Sequence, residues 1–216
     1  MLAWSKENGD GPERSIAADL PQWHGRDVAL EGQVLINPVT VSVEELLALA
    51  IRHVNAGQRG RARLLCEQAV ATHPPHAAVQ QLLAVLSLQD GDAAAAVKLA
   101  TASLALRPDH APTVRVAADA WFQLSLARHD QGDLAGESQA LREVLRLAPE
   151  RVEAEVNLGI ALQDGGEIDA AMRAYGRAYR AREDTFGRIA HALAAANVGR
   201  LWLSLDELRA ALRNAA

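Results

Sequence analysis

The chain reads as all-α: about five helical hairpins stacked as an α-solenoid, behind an irregular and β-prone N-terminal arm. Alanine and leucine dominate its 216 residues and aromatics make up only 4%, a composition that favours helix. Glycines recur in a repeating pattern: Gly57 and Gly91 stand 34 residues apart, as do Gly132 and Gly166, and Gly199 follows. Pro74, Pro108 and Pro149 each fall 17 residues after one of the first three glycines. Small residues keep the same beat, with Ala62, Ala96 and Ala171 five residues after a glycine and Ala69, Ser103, Val144, Ala178 and Ala211 twelve after. A glycine can take the left-handed conformation that closes a first helix, and a proline stops the second. A short helix cannot bury its apolar stripe alone, whereas stacked hairpins bury a continuous core.

In chain order, residues 1–42 fall outside the repeat. Residues 6–14 are polar and glycine-bearing and read as disordered. Residues 27–41 carry β-prone Val28, Leu30, Val34, Leu35, Ile36, Val39 and Val41, with turn signals at Glu31-Gly32 and Asn37-Pro38. A two-stranded ribbon alone is marginal, so this arm must lie on its own solenoid, on a second copy or on a partner. The repeats then occupy 43–216. Segment 43–76 opens with Ser42 and Glu45, spaced as a capping box, and holds Leu46, Leu49-Ala50, Gly57, Ala62, Cys66, Ala69 and Pro74. Segment 77–110 holds Leu83-Ala84, Gly91-Asp92, Ala96, Ala100, Ser103 and Pro108. The third segment, 111–151, starts seven residues early. Seven residues are about two helical turns, and Pro112 is tolerated in a first turn, so one long helix from about 111 to 130 is expected to project beyond its neighbours; a hinge loop is the alternative. In the same segment Glu137 stands where a small residue belongs, which predicts imperfect packing. Segment 152–185 holds Asn157-Leu158-Gly159, Gly166, Ala171, Tyr175 and Ala178. Segment 185–216 is a degenerate fifth hairpin whose Leu201, Leu205, Leu208 and Leu212 form one stripe for the fourth hairpin to cover, leaving Trp202 and Leu203 pointing elsewhere.

These residues, in four near-register copies over roughly four fifths of the chain, resemble the tetratricopeptide repeat (TPR), a helix–turn–helix unit, as found in bacterial scaffold and adaptor proteins. The resemblance implies a right-handed superhelix whose first helices line a concave face. In that family, ligand contacts come from set places on each first helix. Carried onto this chain, these are Leu47, Ile51 and Val54 in the first hairpin, Gln81, Val85 and Leu88 in the second, Phe122, Leu126 and His129 in the third, and Val156, Ile160 and Gln163 in the fourth. Beside them come Asn55, Gln89, Asp130 and Asp164. Spacings of four and of seven or eight place such residues on one helical face. The face is mainly apolar and lacks the lysines and arginines with which some family members grip an acidic C-terminal tail. An amphipathic helix or an extended apolar segment is therefore the expected ligand. The alternative is that some of these residues pack against the neighbouring hairpin.

Other chemistries find little support. The charge of −5 argues against broad binding to nucleic acid or anionic membrane, which needs a basic face. The single cysteine excludes an internal disulfide framework and any cysteine metal cluster. There is no phosphate-binding glycine loop and no nucleophile elbow. Cys66 sits at a packing place and reads as a small hydrophobe. His73-Pro74-Pro75-His76 gathers ligand types, but on a loop whose prolines hold the rings apart and without a third ligand. No metal, no cofactor and no catalytic residue is expected. No stretch is long and apolar enough to span a membrane, and no signal peptide is read at the start, so a cytoplasmic location is expected.

The sequence thus points to a non-catalytic protein-interaction scaffold or adaptor that binds a partner segment in an apolar concave groove. Two alternatives stay open. One is a dedicated chaperone, assembly factor or non-catalytic subunit of a larger enzyme or secretion complex. The other is a scaffold that self-assembles through its N-terminal arm. Trp202 and Leu203 would serve as a second surface, either for a homo-oligomer or partner or as a tryptophan wrapped into the core.

Overall fold

The computed structural model describes residues 41–195 and 204–215. Ten α-helices lie among them: α1 Val43–Asn55, α2 Arg59–Thr72, α3 Ala77–Gln89, α4 Ala93–Leu106, α5 Ala111–Asp130, α6 Leu134–Leu147, α7 Val152–Asp164, α8 Ile168–Ala181, α9 Phe186–Ala195 and α10 Leu205–Asn214, with a 3₁₀ turn at Glu183–Thr185 before α9. No strand occurs among the described residues. Helices α1 to α8 pair as four successive hairpins, and each second helix packs on the first helix that follows. The result is an all-α solenoid. The β-prone segment 27–40, together with Leu201, Trp202 and Leu203, lies outside the described residues.

Local chemistry sets the ends of these helices. Ser42 and Glu45 form the capping box on α1, with Glu45 N–H donating to Ser42 Oγ at 3.2 Å and Ser42 N–H donating to a Glu45 carboxylate oxygen at 2.9 Å. Gly57, Gly91, Gly132 and Gly166 all have φ between +72° and +81°, the region where only a residue without Cβ sits without strain. After each, the next N–H reaches back to a carbonyl of the preceding helix, as from Asp92 to Ser87 at 2.9 Å, which is the Schellman closure. Asp92 and Asp133 then start the second helices by accepting from Ala95 N–H and Gly136 N–H, each at 2.9 Å.

Small side chains hold each hairpin together. Ala62, Ala96 and Ala171 are buried, as are Ala69, Ser103, Val144 and Ala178. In the fourth hairpin a Cβ on Gly159 would stand 2.3 Å from the Tyr175 ring, so the bare backbone makes room for the aromatic.

The seven residues before the third copy are helical, and α5 runs unbroken from Ala111 to Asp130. They do not project, as the sequence suggested. Thr113 and Ala117 are buried against the second hairpin, where Thr113 Oγ1 donates to Gln81 Oε1 at 3.1 Å and Ala117 joins Ala84 and Ala100. Because the insert is close to two whole turns, the same face of α5 still meets the second hairpin, but the contact has moved toward the N-terminus of the helix. Leu124 and Ala127, farther along that face, are only half-buried, whereas their counterparts Leu83 and Leu86 in α3 and Leu158 and Ala161 in α7 are buried.

Glu137 is also accommodated. Its side chain is 4% exposed where the other three hairpins carry alanine, and its carboxylate reaches His129. The fifth copy departs from the repeat. Among the described residues α10 packs on α8 rather than pairing with α9. Leu208 and Leu212 enter the core of the fourth hairpin, while Leu205 stays exposed. Arg180 Nη1 donates to the carbonyls of Leu212 and Arg213, at 3.2 and 3.3 Å, and to that of Ala215.

Candidate partner-binding groove

The first helices α1, α3, α5 and α7 carry the twelve residues singled out in the sequence, and the structure separates them into two groups. Leu47, Gln81, Val85, Phe122, Val156 and Gln163 are buried. Leu47 and Val156 pack in the core, Gln81 accepts from Thr113, and Gln163 accepts from Tyr175 Oη at 2.8 Å and donates to the Ala192 carbonyl at 3.3 Å. Phe122 is covered by the Arg151 guanidinium, 4.1 Å from its ring centre, and Arg151 is held by Asp119 at 2.7 Å. These six spend their side chains on the fold. Ile51, Val54, Leu88, Leu126, His129 and Ile160 are half-buried and keep part of their surface open.

Two shallow depressions interrupt this face. One, about 330 Å³, lies where the first hairpin meets the second and is lined by Val54, Gly57, Arg59 and Gln89. The other, about 220 Å³, lies where the second meets the third and is lined by Leu88, Gly91, Ala93, Gln123, Leu126, Ala127 and Asp130. The two depressions share repeat positions, Val54, Gly57, Arg59 and Gln89 in the first answering to Leu88, Gly91, Ala93 and Asp130 in the second, and the half-buried Ala127 of the shifted α5 adds to the wall of the second.

Beside this depression His129 Nδ1 lies 3.1 Å from Glu137 Oε2. Burial pushes the Glu137 carboxyl above the usual carboxylate range; His129 pulls it back, while Asp164 and Asp130 push it up again. The sequence exposed Glu137 as an anomaly and His129 as a groove residue, but not their pairing, which depends on how far the glutamate folds back toward α5. Cys66 is buried and its thiol is pushed up to about 12 by desolvation. Among the described residues no three His, Cys, Asp or Glu side chains gather as metal ligands would, and no helix is long and apolar enough to cross a membrane.

Stacked α-hairpins closed by left-handed glycines, with half-open side chains on successive first helices, define a helical-repeat protein. The model of the tetratricopeptide repeat matches residues 118–151, and the other hairpins repeat the same turn glycine. Among curated proteins it is similar to the "Probable biofilm formation methyltransferase WspC" of Pseudomonas putida, 37% identical over 92 residues. That match takes in 43% of this chain and spans only 20% of the relative's length. Among solved structures it is similar to YrrB, described as a TPR protein with an unusual peptide-binding site, at 14% identity, a TM-score of 0.50, and 71% and 75% of the two chains covered. It is also similar to MamA, at 22% identity, a TM-score of 0.49, and 68% and 82% covered.

Proposed function

We propose that this chain is a non-catalytic scaffold or adaptor that holds an apolar segment of a partner protein on the face formed by α1, α3, α5 and α7. The observation that carries the proposal is the row of half-buried apolar side chains Ile51, Val54, Leu88, Leu126 and Ile160 on four successive first helices, interrupted by the depression between the second and third hairpins. A partner helix or strand seats a few apolar anchors in such a face, and a stable grip buries on the order of 1,200–2,000 Å² in total. The face is narrower than the sequence implied, because six of the twelve residues are core.

The test uses Leu126→Asp rather than Phe122→Asp, since Phe122 is buried and its replacement disturbs the fold. The Leu126→Asp variant keeps the far-ultraviolet helical spectrum and loses the proteins that co-purify with the natural chain. Full recovery of the same proteins by the folded variant overturns the proposal. A narrower reading, a non-catalytic subunit or assembly factor of an enzyme complex, draws support from the likeness to WspC, a protein whose name denotes a methyltransferase.

A further inference from the structure

The chemistry of the partner segment can be taken further, resting on the groove reading above. Asp130 lines the depression together with Leu88 and Leu126. Asp164 stands at the matching place one hairpin on, and both carboxylates are near enough to Glu137 to act on it. Both are exposed, and among the described residues neither is held in a salt bridge. Each is the last residue of its helix, where the negative end of the helix dipole disfavours a carboxylate. Helix stability therefore does not account for them. The corresponding residues of α1 and α3 are the neutral Asn55 and Gln89, and Arg59 lines the depression at that end. The neighbouring imidazole, His129, is already engaged by Glu137. The face is thus apolar along its length and anionic at the C-terminal ends of α5 and α7, while Arg151 over Phe122 and Arg188 against Asn157 put positive charge farther back along the same helices.

We propose that the partner is a segment whose apolar anchor enters the depression at Leu88 and Leu126 and whose adjacent lysine or arginine residues lie against Asp130 and Asp164. Charge complementarity sets the direction of the segment, with its basic end toward α7. Exposed pairs of this kind add modest affinity, speed encounter and are screened by salt.

The experiment is a selection of randomised 15-residue peptides on the full immobilised chain, with removal of those that also bind the Leu126→Asp variant. The expected survivors carry lysine or arginine beside their apolar residues. A labelled survivor, titrated in 50 mM salt, binds the Asp130→Asn/Asp164→Asn variant about three- to tenfold more weakly, and the difference fades in 0.5 M salt. Survivors that are neutral or acidic, or that bind the double variant unchanged, overturn the charge proposal and leave the groove reading standing. If no peptide depends on Leu126, both fall.

Discussion

Glu137 occupies a place where the three other hairpins bury alanine, and burying a carboxylate costs free energy that one imidazole only partly offsets. Glu137→Ala is therefore expected to stabilise the chain by about 1–2 kcal/mol at pH 7.5, read as a rise in Tm of about 2–6 °C. The pH dependence has a definite sign. The folded state holds the Glu137 proton more tightly than the unfolded chain does, so the glutamate is tolerated best below the ordinary value near 4.5 and becomes a burden as pH rises through its raised value. Thermal melts from pH 4.5 to 7.5 should show the gap between natural chain and variant widening with pH; a constant gap would contradict this account. Cys66 gives a second residue-scale prediction. A buried thiol with a pKa of about 12 is a poor nucleophile near neutrality, so a thiol-reactive probe at pH 8 should label the folded chain far more slowly than the chain in denaturant. Gly159→Ala forces a methyl group into the Tyr175 ring and should lower stability by about 1–3 kcal/mol, measured by urea unfolding.

At the scale of single elements, the turns were plain in the sequence, because a left-handed glycine in each of the four hairpins and a capping aspartate after Gly91 and Gly132 each have one physical use. The length of α5 was plain as well, since seven residues with proline only in the first turn continue a helix. Its placement was hidden. Spacing says that the same face returns after two turns, but not which part of that face the second hairpin will cover, and Thr113 and Ala117 proved to be that part. The proposed groove was half legible for a related reason. Spacings of four and seven put Val156 and Ile160 on one side of α7, yet one is buried and the other half open, a difference set by the neighbouring helices. Deleting residues 111–117 tests this account. The helical face is preserved, so the chain should still fold by circular dichroism, while Leu124 and Ala127 become covered as Leu83 and Leu86 are, and binding that depends on Leu126 weakens.

For the whole molecule, repeat arrays gain stability from each interface between neighbours and need their ends covered. Helix α10 does this at one end, burying Leu208 and Leu212 on the fourth hairpin for roughly 1.5–3 kcal/mol each. Removing residues 204–216 should lower Tm by several degrees and uncover Tyr179, which light scattering would register as association of copies; an unchanged mass and Tm would deny α10 that role. The apolar core is also uneven. One large cluster unites the third and fourth hairpins with α9 and α10, another the first and second hairpins, and between them lies a small one built on Ala84, Ala100 and Ala117. Alanines bring the helices of this boundary close together, and the partly buried Leu99, Leu104, Val116 and Leu147 pack around them. A partner segment lying across this boundary, as proposed above, would bridge the two larger clusters, and slower amide exchange along α4 and α5 on its addition would record that occupancy.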